Sequence, residues 1–305
     1  MKYFNIISKY KYHFTMNIVV FLWGSTALLG KLISLPSLHL TWLRMIIASL
    51  FLTPFFLFKI RRLDIISKHI GLLFLNGLII ALHWVFFFHS VKISTVSLAL
   101  ICLSSAPFFT SLIQTYILKE KLNFHEFVSG GLLFSGMFLI VCSLEGALLE
   151  GVFFALVASL GQAFFTIINS KLIKYYHSFT LVFYELLIGS IFLSFFIFPF
   201  VNINQIFISL DKISFLLLLF LSIICTSFCY FLSIWALKGM SPFTSNLMVN
   251  LEPIYGSAFA FFFIGKSEFL PKSTLLGACL VLSCLFYNLF INYQLSKKLK
   301  SIRGV

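Results

Sequence analysis

Apolar residues fill long runs along this chain, and polar residues gather in short clusters between them. A helix of about 20 residues crosses a hydrocarbon core about 30 Å thick. The runs predict ten such spans, over roughly 15–34, 39–58, 69–90, 94–117, 125–143, 147–168, 178–199, 214–236, 243–264 and 273–293. The connections are short, and no soluble domain interrupts them. The runs are continuous rather than alternating, which excludes the pattern of an outer-membrane barrel. The expected fold is therefore an all-α integral membrane protein of ten transmembrane helices.

Composition supports this solvent. Of 305 residues, 60% are hydrophobic and only 10% charged, with a mean hydropathy of +1.05. A soluble domain carries about 25% charged residues. A net charge of +13 would ordinarily suggest nucleic acid. Here the basic residues stand between apolar runs, so they are read as setting orientation. With the amino terminus inside, 16 Lys and Arg fall on the cytoplasmic side and 5 outside, leaving Arg44 within a span. Both termini are thus expected in the cytoplasm, with residues 294–305 as a basic cytoplasmic tail. The basic start lacks a small-x-small cleavage site and is read as leading into a first span rather than as a cleaved signal. Six cysteines, Cys102, Cys142, Cys225, Cys229, Cys279 and Cys284, all lie in apolar segments. They read as small apolar residues, with neither a disulfide framework nor a metal site expected.

Two stretches share a rhythm. "WLRMIIASLFLTPF" begins at Trp42 and "FYELLIGSIFLSFF" at Phe183, and aligning Arg44 with Glu185 also aligns Phe55 with Phe196. At a second offset Pro107 aligns with Pro253, Lys92 with Lys238, Trp84 with Tyr230 and Gly131 with Gly277. The shared order predicts a duplication, with repeats over 1–143 and 147–293. Five spans per repeat is an odd number, so the second copy enters the membrane from the opposite side. That is an inverted repeat, the frame of many alternating-access transporters.

Charges within spans are costly unless they face a cavity, snorkel or find partners. Arg44, Glu185 and Glu252 are the charged residues placed well within spans. A rise of about 1.5 Å per residue puts Arg44 and Glu185 on opposite sides of the midplane, about 12 Å apart in depth. Glu252 falls near the midplane, where Pro253 cannot supply a helical N–H and bends its span. Glu252 is expected to hold a proton or an ammonium group, and Arg44 a carboxylate; together they suit a zwitterion. His83 and Trp84 in span three, Asn246 and Asn250 one turn apart before Glu252, and Tyr255 complete the expected solute-binding or proton-binding set. Gly24 and Ser25 are expected to allow close helix contact.

The chain resembles the drug/metabolite transporter superfamily, in its EamA group. The resemblance rests on "FLWGSTALLGK" from Phe21, "WLRMIIASLFL" from Trp42, "STVSLALICLSSAPFFTSLI" from Ser94 and "NLEPIYGSAFAFFFIGKSEF" from Asn250, and it covers nearly the whole chain. It implies movement of small metabolites through a central cavity between two halves. Glu120 matches a frequent acidic position of the group; in the second half Lys266 stands there, with Glu268 slightly later. The function expected is a secondary transporter of a small organic metabolite in the inner membrane, with protons as the simplest coupling ion and facilitated exchange as the alternative, and with no cofactor, nucleic-acid partner or enzymatic chemistry. A membrane receptor or scaffold, and an integral-membrane enzyme, are the alternative readings left open by the sequence.

Overall fold

The computed structural model describes residues 2–59, 69–142, 148–199, 206 and 210–265, with isolated positions between 283 and 294. Apart from those positions, the tenth expected span, the tail, the segment carrying Lys266 and Glu268, and Cys279 and Cys284 lie outside the described residues. Among the described residues the chain is helical, without strands. The order is α1 (Lys2–Leu32), α2 (Ser37–Lys59), α3 (Ile70–Ile93), α4 (Val96–Leu103), α5 (Ala106–Ile117), α6 (Phe124–Cys142), α7 (Leu149–Leu172), α8 (Ser178–Ile197), α9 (Lys212–Ala236), α10 (Pro242–Val249) and α11 (Glu252–Phe263).

Among the described residues, seven stretches are long and apolar enough to cross a membrane: Tyr10–Leu32, Ser37–Leu57, Ile70–Ile93, Val96–Ile117, Leu149–Leu172, Ser178–Ile197 and Lys212–Ala236. Large apolar side chains such as Leu139, Phe195 and Phe262 point outward and are exposed. Water would penalise such a surface, whereas lipid accommodates it. Inside the bundle, α2 and α8 pack closely. The rings of Phe56 and Phe183 stack at 4.1 Å, and Gly189 lies against Met45, leaving no room for a Cβ. α1 meets α11 in the same way: a Cβ on Gly24 would stand 2.6 Å from Cβ of Tyr255. The expectation for Gly24 is met at that contact.

Two spans expected as continuous helices, 94–117 and 243–264, are each broken near the middle. α4 stops at Leu103 and α5 restarts at Ala106; α10 stops at Val249 and α11 restarts at Glu252. In both, proline lies in the first turn of the second half, where its missing N–H is no loss. The bend expected at Pro253 is thus a full interruption, and Pro107 makes a second. Hydroxyls satisfy backbone carbonyls beside the first break, Ser104 to Ile101 O at 2.5 Å and Ser105 to Cys102 O at 2.7 Å. The breaks meet, because Asn250 Nδ2 donates to Ser104 O at 2.8 Å. α4 packs on α11, and α5 on α10. The first half of each broken helix therefore lies beside the second half of the other, and the two run antiparallel.

α9 carries an irregularity that the apolar pattern does not announce. Residues Leu221–Phe228 form a π-helical segment between two α-helical ones. Thr226 and Ser227 donate their hydroxyls to carbonyls five residues back, Leu221 O at 2.7 Å and Ser222 O at 3.1 Å. Such bulges re-aim side chains and concentrate at functional positions. Of the cysteines, Cys102, Cys225 and Cys229 are buried thiols as expected, whereas Cys142 is exposed at the end of α6; all four are free.

Candidate functional site

The two helix breaks and α1, α2, α3, α7 and α9 converge on one internal cavity of about 40 Å³. Its polar side chains include Arg44 from α2, His83 from α3, Gln162 from α7, Tyr230 from α9 and Glu252 from α11, with Trp23 and Trp84 as aromatic walls. Its lining is mostly apolar with a few placed polar groups, the character of small-ligand pockets.

Arg44 is buried, 2% exposed, yet well supported. Its guanidinium carbon lies 3.9 Å from the Trp84 ring centroid and 5.4 Å from that of Phe88. Its Nε donates to Thr226 Oγ1 at 2.5 Å. The π segment thus has a local purpose: it turns Thr226 toward α2. Cation–π contacts and one hydrogen bond hold the side chain, while its other donors are unclaimed by any acidic group in contact among the described residues. Glu252 opens the first turn of α11, where a carboxylate is favoured by the helix dipole. It lines the same cavity as Arg44, but no hydrogen bond or ion pair joins the two among the described residues. One cavity therefore carries a cation and a carboxyl group held apart.

His83 lines the same cavity, and its Nδ1 donates to Ala158 O at 2.6 Å. A carbonyl only accepts, so Nδ1 carries the hydrogen. Asn246 lies instead in a second cavity of about 20 Å³, bonded to Gln162, Thr166 and Thr110 at 3.3, 3.1 and 2.7 Å. Trp23, Gln162, Phe165 and Tyr230 line both cavities and form the wall between them. Asn250 joins the helix breaks. Tyr255 packs on α1, its ring 5.3 Å from Phe21, and does not line either cavity. Glu185 is fully buried outside the lining, accepting hydrogen bonds from Asn76 Nδ2 at 2.7 Å, Asn169 Nδ2 at 3.3 Å and the Tyr230 hydroxyl. Arg44 and Glu185 share a sequence register but not a bond, as their different depths predict.

The structure brings in residues that the sequence reading passed over. Trp23, Gln162, Tyr230, Asn169, Asn76 and Thr226 are ordinary members of apolar runs. For Tyr230 a signal existed, since the repeat aligns it with Trp84. The two rings in fact meet, 5.9 Å apart.

A lipid-facing helical bundle around an enclosed polar cavity is the form of a membrane transport protein. The EamA-like transporter family model matches residues 11–142 and again 149–290, so the chain belongs to that family and is an integral membrane transporter. It is 27% identical over 247 residues to "Uncharacterized transporter YxxF" of Bacillus subtilis (strain 168), covering 78% of this chain and 77% of that one. It is 26% identical over 267 residues to an "Uncharacterized transporter" of Archaeoglobus fulgidus, covering 84% and 90% respectively. A solved crystal structure of a protein superposes with a TM-score of 0.70 over 91% of this chain and 96% of that one, at 11% identity, a likeness of fold alone.

Proposed function

We propose that this transporter moves a small zwitterionic metabolite, of the amino-acid kind, by alternating access between two inverted five-helix repeats in the inner membrane. The observation that carries the substrate class is the pairing in one cavity of Arg44, braced by Trp84 and Thr226, with Glu252, which no described residue neutralises by contact. A carboxylate suits the guanidinium and an ammonium group suits Glu252, while Trp84 and Phe165 cover the apolar part of the solute.

The repeats, over 1–143 and 147–293, are supported by the double match of the family model and by the antiparallel packing of the broken helices. A further support is geometric. Residues equivalent under a two-fold axis touch only if they lie near it. Trp84 meets Tyr230, and Ser104 meets Asn250; each pair is separated by the same 146 positions that separate Pro107 from Pro253. Such an axis through the cavity lets each half adopt the other's conformation. The basic bias supports ten spans with both termini cytoplasmic. The chain has a carrier's role rather than an enzyme's, in keeping with its family.

The test is a thermal-stability screen of purified protein against amino acids and related zwitterions, followed by uptake of hits into vesicles. A ligand at a hundred times its Kd stabilises by about 2.7 kcal/mol. Stabilisation by zwitterions is expected in the parent protein and lost in Arg44→Gln and in Glu252→Gln. A hit whose binding and transport survive both substitutions would sink the reading.

A further inference from the structure

A carboxylate buried in a membrane span needs a cation or several donors; with neither, it takes up a proton. Glu185 has donors but no cation. α3 presents Asn76 to it, α7 presents Asn169 and α9 presents Tyr230. α2 packs on the same helix through apolar side chains such as Met45 and Phe56, and its Arg44 turns away to Trp84 and Thr226. Among the described residues, Tyr230 is the one titratable group that faces the carboxyl, and no charged group does.

The cluster is also equipped for the protonated form. Oδ1 of Asn76 and Oδ1 of Asn169 are buried without a hydrogen-bond partner. Such orphans are costly and call for an explanation. Rotation of either side-chain amide by half a turn exchanges a donor for that unused acceptor, which then receives the proton of a neutral carboxyl group. Three donors serve the anion, and two spare carbonyls serve the acid.

Tyr230 links this cluster to the transport path. Its hydroxyl is bonded to Glu185 and accepts from Asn169 Nδ2 at 3.1 Å, while its ring stands in the wall between the two cavities, against Trp84. Asn169 lines the second cavity, so the cluster borders that cavity as well.

We propose that Glu185 is a proton-exchange site distinct from the solute cavity, and that Tyr230 couples its charge state to passage between the two cavities. Glu185 binds one proton at one face of the membrane and releases it at the other; no other bond changes. The proposal rests on the transporter reading above, but its test needs no solute.

Full-length protein in lipid vesicles is titrated from mildly acidic to mildly alkaline pH and followed by infrared difference spectroscopy of protonated carboxyl groups. A pH-dependent band is expected that is lost in Glu185→Gln, kept in Glu252→Gln and displaced in midpoint in Tyr230→Phe. In a protein whose other tryptophans are phenylalanine, Trp84 emission is expected to follow the same midpoint, and to lose that dependence in Tyr230→Phe. A band that survives Glu185→Gln, or one that responds to sodium at constant pH, overturns the proton site. Trp84 emission that ignores the transition overturns the coupling. Tyr230→Phe removes one donor only and gives an independent reading should Glu185→Gln fold poorly. Failure of zwitterions to bind would remove the solute reading and leave these outcomes unaffected.

Discussion

The guanidinium carbon of Arg44 lies 3.9 Å from the Trp84 ring centroid, deep in the bundle and away from any acidic contact among the described residues. The ring thus does for this cation part of what a carboxylate would do elsewhere, without neutralising it. That leaves the charge available to an incoming anionic group.

Trp84→Leu removes that face while keeping the site apolar. A desolvated cation–π contact is worth about 2 kcal/mol. The expected result is a lower melting temperature and loss of zwitterion-induced stabilisation. Trp84→Phe, which keeps a weaker aromatic face, is expected to fall between the parent and Trp84→Leu in both measurements. Equal behaviour of the two variants would show that packing alone matters there.

Gly24 faces Tyr255 and Gly256 across the α1–α11 contact, where an added Cβ would stand 2.6 Å from one carbon and 3.2 Å from a backbone nitrogen. Overpacking of this kind costs about 1–3 kcal/mol. Gly24→Ala is expected to lower the melting temperature measured by fluorescence-detected size exclusion. Gly131 has open space around its Cα, so Gly131→Ala is expected to leave it unchanged or raise it.

These sites differ in how plainly the chain announces them. Arg44 and Glu252 stand out because charge is rare in apolar runs, and both line the cavity. Glu185 stands out for the same reason, yet it turns to amides on other helices. Sequence spacing gives its depth but not its neighbours. The interruption at Ser104 and Ser105 is hidden because a proline two residues later is equally compatible with a kinked continuous helix. The π segment is hidden more completely: it depends on which carbonyls Thr226 and Ser227 reach, and serine and threonine occur throughout the spans. Tyr255 shows the converse error. Its helix is correctly placed near the cavity, but its face belongs to α1.

Glu185 is the single acceptor shared by Asn76, Asn169 and Tyr230. Glu185→Ala leaves two buried donors, Asn76 Nδ2 and the Tyr230 hydroxyl, short of a partner, at about 1–3 kcal/mol each, while Asn169 Nδ2 keeps the Tyr230 oxygen. Glu185→Gln keeps one acceptor oxygen. Thermal unfolding is therefore expected to rank parent, then Glu185→Gln, then Glu185→Ala, with the larger step at the end. The reverse order would mean that the cluster contributes nothing to holding the four helices together.

The proposed orientation places Lys212 outside and Asn123 inside. Both are exposed beside helix ends. In a cysteine-free background, a membrane-impermeant maleimide is expected to label Lys212→Cys in intact cells and Asn123→Cys only after lysis. The opposite pattern would invert the topology assigned from basic residues.

The ends of α1 and α3 are cross-tied. Lys31 Nζ donates to Val91 O at 3.0 Å and Ser94 O at 2.6 Å, while Lys92 Nζ donates to Ile33 O at 2.9 Å. Each ammonium group closes off the carbonyl-rich end of the other's helix, where positive charge is favoured. Two helices that are not neighbours in the chain are thereby riveted at one end. Parting those two ends would require breaking these hydrogen bonds at once.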